Sequence, residues 1–263
     1  MISNSNERGI TISIENYDLI PFSMLFLGSI ALILSVLSSS YISAFIGMAL
    51  TFWGALFFYI KPKKYVKLEL LEAASISALT NMEKILIEAK ANSKGVYLPP
   101  GHLQDPASSL IFVSTKANQL LPTIEESSLG KLKSKNPSGL FITPPGLELS
   151  KLFEKQLKHT FTETSLVDLQ KDLPRLFDDL QITKNLSIQA ENNTISVAIG
   201  NHVFKDLCEE TAKLELTHRT IGCALSSAFA CAFAKATGKP VAIETEETSQ
   251  DGKTLIQYRV LED

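Results

Sequence analysis

The pattern of apolar and polar positions divides the chain in two. From Leu19 to Ile60 there are 42 residues without an Asp, Glu, Lys or Arg. As one helix this run would be roughly 63 Å long, about twice the hydrocarbon core of a bilayer. It therefore predicts two spans, about 19–37 and 41–60, broken at the small polar run Ser38-Ser39-Ser40. Two antiparallel helices joined this way make a transmembrane hairpin. Small residues recur at helical spacing on both: Gly28, Ala31, Ser35 and Ser38 on the first, Ser43, Gly47, Thr51 and Gly54 on the second. Such stripes let two helix backbones approach closely. Trp53, Phe57, Phe58 and Tyr59 gather at the exit end, where aromatic side chains favour the membrane interface.

Beyond the hairpin the pattern is that of a water-soluble α+β protein. Leu68, Leu71, Leu79, Met82 and Leu86 form one stripe at three- and four-residue spacing, predicting a helix over 66–90. Clean heptads are absent, so the helix is expected to pack on its own domain. Short strands are predicted at Gly95–Leu98, Leu110–Ser114 and Gly139–Thr143. Two of them run into the same Pro-Pro-Gly turn, at Gly101 and at Gly146. Proline removes a ladder donor and Pro-Gly suits a tight turn, so each strand stops sharply. The second turn opens a helix, Leu147–Lys158, and backbone N–H groups at such a helix start can hold an anion. Gly101 and Gly146 are thus candidate ligand positions.

The last hundred residues repeat a pattern of helix, strand, strand. Ser165–Leu180 reads as a helix carrying Pro174, followed by NLSIQA, a turn at Glu191-Asn192-Asn193, and TISVAIG. A linking helix over about His202–Leu214 leads to the second unit. There Cys223–Thr237 is followed by VAIETEE, a turn at Asp251-Gly252, and TLIQYRV. Alternating apolar residues mark the strands. Two helix–hairpin units pair into one antiparallel sheet with helices on a face.

The segment Thr220–Ala234 is a third run without charge, 15 residues long. As a helix it would reach roughly 22 Å, short of a bilayer core. Leu225, Phe229 and Phe233 form a bulky stripe, and Ala, Ser and Cys fill the other positions. Gly238 marks the stop and Pro240 starts an extended strand. This predicts a central core helix with a small face for another backbone to approach.

Charge adds orientation. The residues before the first span carry Arg8 against Glu7, Glu15 and Asp18, without the positive start of a signal peptide. Lys61, Lys63, Lys64 and Lys67 follow the second span. Positive flanks stay in the cytoplasm, so both termini are expected there, on a multi-pass protein of the cell membrane. The lipid bilayer is then the first partner. Residues 65–263 hold 21 Lys+Arg against 25 Asp+Glu, which does not suggest nucleic-acid binding. The expected organisation is a cytoplasmic segment 1–18, the hairpin 19–60, a juxtamembrane helix 61–92, and a cytoplasmic α+β domain 93–263. That domain is one unit or two lobes, 93–160 and 161–263.

Candidate chemistry is sparse. The chain has three cysteines, Cys208, Cys223 and Cys231, too few and too odd in number for a secreted disulfide framework. Cys223 follows Gly222 at a predicted helix start, where the dipole lowers a thiol pKa, with His218 and Arg219 just before it. That grouping suits a reactive thiolate with His218 or His202 as base, or a metal site shared with Cys208. No paired zinc-ligand spacing is present, so no metal is expected. Cys223 and Cys231 lie about 12 Å apart by helical rise, too far for a disulfide. Phosphate-loop, dinucleotide, metalloprotease and serine-hydrolase signatures are absent, and no cofactor is implied. Asp178-Asp179 are expected on a solvated helix face; His102 and His159 have no partner visible in the sequence.

The stretch GCALSSAFACAFAKATGKPVAIETEETSQDGKTLIQYRV, 222–260, resembles the end of vinyl-reductase-type small-molecule sensor domains. It shares a Cys-led helix, a Gly, a strand rich in Val and Glu, a turn with Gly, and a last strand ending in an aromatic and Arg. Members of that family often carry further cysteines in the last two strands, where this chain has Thr248 and Ile256. The resemblance implies ligand sensing rather than catalysis. As a whole the chain resembles two-span membrane proteins of archaea. Three functions stand open. One is a membrane-tethered domain binding a small molecule or a protein partner, with Arg219, Gly101 and Gly146 as ligand candidates. The second is a membrane-bound enzyme using Cys223 and His218. The third is a structural subunit that assembles as a homo-oligomer.

Overall fold

The computed structural model describes residues 19–59, 68–91, 93–103, 109–116, 122, 132–135, 137–249 and 252–262. The N-terminal segment 1–18, the lysines Lys61, Lys63, Lys64 and Lys67, most of the polar loop before residue 132, and Asp251 lie outside the described residues. The chain divides into two compact units at Lys67/Leu68.

The first unit is a helical hairpin, α1 (Leu19–Ser38) and α2 (Tyr41–Tyr59). The break falls at the serine run. Ser39 adopts a left-handed φ of 48°, and the Ser35 hydroxyl donates to the Ser40 carbonyl at 2.9 Å. The small-residue stripes meet as their spacing predicts. A Cβ at Gly28 would lie 2.8 Å from the Thr51 backbone nitrogen, and one at Gly47 or Gly54 would lie 2.9 Å from that of Leu32 or Leu25. Both helices are long and apolar enough to cross a membrane. A third segment, Glu215–Thr237, meets the same test of length and composition, but 83% of it is buried inside the fold.

The second unit opens with α3 (Leu68–Glu88), the expected helix, whose Leu79 and Leu86 are buried. Then come β1 (Val96–Leu98), β2 (Leu110–Ser114), β3 (Lys133–Lys135), β4 (Ser138–Ile142), α4 (Leu147–Leu157) and α5 (Leu166–Asp179). The chain continues through β5 (Asn185–Glu191), β6 (Thr194–Gly200), α6 (Lys205–Ala212), α7 (Glu215–Ile221), α8 (Ala224–Thr237), β7 (Val241–Thr248) and β8 (Lys253–Val260). Ser165 caps α5 by accepting the Asp168 N–H at 3.2 Å, and the helix runs through Pro174 unbroken.

The eight strands among the described residues join one antiparallel sheet in the order β3-β4-β2-β1-β7-β8-β6-β5. The two helix–hairpin units pair through β6 and β8, as Val197↔Ile256 and Ile195↔Tyr258. The short strands of 93–160 attach through β1, where Val96 opposes Ala242. One sheet therefore spans both halves of 93–263. On one face lies the main core; on the other, Val96, Leu98, Phe112 and Phe141 form a smaller cluster with Leu103.

Helix α8 sits at the centre of the main core, and every residue from Leu225 to Lys235 is buried. Its bulky stripe extends an aromatic row: Phe153 to Phe177 at 5.1 Å, Phe177 to Phe229 at 5.3 Å, Phe229 to Phe233 at 6.0 Å, and Phe233 to Tyr258 at 5.1 Å. Its small face receives the second Pro-Pro-Gly turn. A Cβ at Gly146 would collide with the Ala228 backbone, and the Gly146 N–H donates to the Ser227 hydroxyl at 3.1 Å. Lys235, the one charge on the helix, is paired with Glu154 of α4 at 2.9 Å. Buried charges persist only when paired in this way.

Candidate functional site

The site forms where α7 gives way to α8. Gly222 separates the two helices with φ +68° and ψ −174°, a conformation that side chains rarely take. Three hydrogen bonds hold the junction to the sheet. The Gly95 N–H donates to the Thr220 carbonyl at 2.7 Å, the Tyr97 hydroxyl to the Ile221 carbonyl at 2.6 Å, and the Tyr258 hydroxyl to the Ser226 carbonyl at 3.0 Å. On its outer side, the Glu83 carboxylate of α3 caps the start of α7. It accepts the Leu216 N–H at 3.1 Å and the Thr217 N–H at 2.6 Å. Anions favour a helix N-terminus for the same reason.

The sheet contributes through an irregularity. Ile243 opposes Tyr258, yet Thr245 opposes Gln257 and Glu246 opposes Ile256, so one extra residue sits between Ile243 and Thr245. A bulge of this kind reverses the in–out alternation beyond it. Without it, Glu246 would share the outward face with Glu244. With it, Glu246 stands beside inward-facing Ile256, its side chain only 6% exposed. Lys94 donates to the bulged Glu244 carbonyl, and Arg259 pairs with the Glu244 carboxylate at 2.9 Å.

Around Glu246 the pieces converge. His218 Nε2 lies 3.5 Å from Glu246 Oε1. Glu246 Oε2 is buried and has no hydrogen-bond partner; the nearby Ser226 hydroxyl donates to the Cys223 carbonyl at 3.2 Å. Cys223 caps α8, its sulfur 3.4 Å from the Ser226 N–H. Cys208, from α6, places its sulfur 2.9 Å from that of Cys223. Cys208, Cys223 and Glu246 offer three metal-type donor atoms within 4.8 Å of one another. Above them opens a cleft of about 260 Å³ lined by Lys94, His218, Arg219, Ile243, Thr245 and Glu246, among others. Glu246 is the wall shared by cleft and sulfur pair.

Electrostatics set the protonation states. Burial pushes the Glu246 carboxyl up, but the hydrogen bond and charge of His218, with Ser226 and Cys223 beside it, outweigh this and hold it below its ordinary value. The His218 imidazole is raised, first by its bond to Glu246, against the opposing effect of burial. His202, buried with its Nδ1 unpartnered, is lowered by burial, with Glu246 pulling the other way. The Cys223 thiol is pushed well up by burial, then by Cys208 and the Glu246 charge. The thiol lowering expected at this helix start is overcome, because the sulfur is sealed from water and faces a carboxylate.

The structure thus brings His218, Cys223 and Cys208 together and sets Arg219 on the exposed rim of the cleft. Cys231 is buried elsewhere along α8, its thiol raised to about 12 chiefly by burial. Gly146 is a packing residue whose N–H is already taken. Gly101 stands in an exposed turn with nothing near its missing side chain. His159 does find partners, Thr164 at 2.9 Å and Asp172 at 3.7 Å, and Asp178 and Asp179 are exposed on α5. Sequence reasoning missed Glu246, because VAIETEE alternates like an ordinary half-exposed strand and nothing in it announces the bulge.

A protein family described as a domain of unknown function (DUF7982) matches residues 13–260, and the chain belongs to that family. No curated protein matches the chain. No solved structure matches it either.

Proposed function

We propose that this family member is a membrane-tethered domain on the cytoplasmic side that senses a small acidic molecule in the cleft over Glu246. The observation that carries the reading is the unequal use of charge around that cleft. Lys94 is engaged by Glu244 and His218 by Glu246. Arg219, on the same rim, makes no ion pair with a described residue. A guanidinium left over beside a cleft suits a carboxylate or phosphate, which it holds with two parallel hydrogen bonds. The volume of about 260 Å³ suits a metabolite the size of an amino acid or hydroxy acid.

Two features support a sensor over an enzyme. Cys223 is 1% exposed and its thiol is raised, which suits a nucleophile poorly. And α7, which carries His218 and Arg219, is joined through Glu83 to α3, the first helix after the hairpin. A ligand that shifts α7 has a direct handle on the helix that follows the hairpin in the sequence. The tether rests on the outward-facing apolar side chains of α1 and α2 and on the lysine run that follows them.

Thermal unfolding of the full chain in detergent, against a panel of amino acids, hydroxy acids and phosphorylated metabolites, tests the reading. At least one acid raises the midpoint of the wild type. That shift vanishes in Arg219→Glu and in Thr245→Trp, which fills the cleft. A panel without a hit, or hits indifferent to both substitutions, overturns it.

A further inference from the structure

Among the described residues, the two outer strands of the sheet are built in opposite ways. We propose that β5 is a docking edge for a second copy of this chain, which adds its own β5 antiparallel about a twofold axis at Ile188, so that the two sheets run on as one. The edge uses no residue that lines the cleft, and the proposal holds whether or not the cleft takes an acid.

The strand order ends at β3 on one side and at β5 on the other. An edge strand exposes unpaired N–H and C=O groups, and proteins guard such edges with short strands and lysines. β3 is guarded in both ways, being the three residues Lys133-Ser134-Lys135. β5 is seven residues long and has no lysine, no proline and an unshifted register with β6, so nothing bends its edge away. Its free groups form a set. The Val260 N–H donates to the Asn193 carbonyl at 2.8 Å, so the backbone just before β6 faces β8. Alternation then turns Thr194 and Ser196 towards β5, where Glu191 and Gln189 oppose them. The positions between, Leu186, Ile188 and Ala190, aim their backbone groups out of the sheet edge. Among the described residues, the one hydrogen bond that reaches the β5 backbone from outside the sheet is the Thr183 hydroxyl on the Asn185 N–H, at 3.1 Å.

This edge is complementary to itself. With Ile188 opposite its own copy, Leu186 meets Ala190, Ser187 meets Gln189 and Asn185 meets Glu191. No other centre pairs the whole of β5. The outward-aimed positions then face one another as hydrogen-bonded pairs, each exchanging both of its bonds. Their side chains lie on the core face, with Ile188 buried and Leu186 and Ala190 half-buried at the margin of the core, so a second β5 covers the margin. On the other face exposed polar side chains meet polar ones. The strand's single charge, Glu191, meets an amide and not a second carboxylate. A shift of one residue would set outward-aimed groups opposite inward-aimed ones and break the ladder.

The test uses the full chain in detergent. Light scattering over a concentration series gives two copies per particle at its upper end. Ser187→Lys/Gln189→Lys changes two exposed positions and sets like charges directly opposite each other across the seam, so the concentration at which the dimer forms rises by about tenfold or more. Ser187→Cys/Gln189→Cys locks two copies together under mild oxidation, because facing residues of a non-hydrogen-bonded pair stand about 4.5 Å apart at Cα, within disulfide reach. Leu255→Cys, exposed on β8 away from the edge, does not. Circular dichroism checks that each variant is folded, and the cysteine pair decides by itself if the lysine pair is not. A single copy per particle at every concentration overturns the proposal. So does a dimer that a folded lysine variant leaves unchanged, since it forms through another surface, and so does a dimer that the cysteine pair fails to cross-link. A panel of acids without a hit alongside a normal dimer removes only the ligand reading, and the converse removes only the dimer.

Discussion

The hairpin and α8 are built from similar apolar residues and arrange them in opposite ways. In α1 and α2 the bulk points outward: Phe26 is 69% exposed, Phe45 74% and Val36 81%, while Gly47 and Gly54 are buried between the helices. In α8 the bulk points inward onto an aromatic row, the small face receives Gly146, and no side remains for solvent or lipid. Apolar composition alone scores all three segments as long and apolar enough to cross a membrane. Where the large side chains sit is what separates them. A helix that offers its bulk outward needs an apolar solvent, and one that is enclosed on every side already has its own.

Substitutions that act on bulk in the two regions should differ most. Phe229→Ala removes the ring between Phe177 and Phe233 and is expected to cost roughly 3–5 kcal/mol, seen as a lowered urea midpoint of the detergent-solubilised chain by circular dichroism. An unmoved midpoint would mean that α8 is not core. Gly146→Ala should come next. Its new methyl presses on the backbone of α8, which cannot give way like a side chain, for a cost on the order of 1–3 kcal/mol. A neutral result would show that the turn stands off the helix. The smallest effect is expected on the outward face of the hairpin, where Phe26→Leu exchanges one apolar surface for another and should stay within about 0.5 kcal/mol. A large loss there would mean that Phe26 is buried against another chain.

Much of this was legible in the sequence because it depends on local pattern. The serine break, the small-residue stripes, the core helix ending at Gly238, and the paired helix–hairpin units all follow from periodicity and punctuation. Strand β3 was not legible, since Lys133-Ser134-Lys135 carries no apolar alternation. The joining of both halves into one sheet depends on β1 meeting β7, about 145 positions away along the chain, through a pairing only two residues long. At the candidate site, His218, Arg219 and Cys223 could be found from their place at a helix start. Cys208 could be joined to them as a candidate, but Glu246 could not, because a strand's parity is set by its partner's register. The pull of a helix N-terminus on Cys223 was readable too, but the burial that overrides it belongs to the folded core.

The central claim is that two helices cross the membrane and the third apolar segment stays within the folded domain. Reporter fusions at the C-terminus of the full chain test it most directly, using one reporter that is fluorescent only in the cytoplasm and one phosphatase that is active only outside. The account predicts a fluorescent fusion and an inactive phosphatase, with the same result at the N-terminus. An active phosphatase at the C-terminus, with the N-terminus inside, would mean an odd number of crossings among the three candidate segments and contradict it.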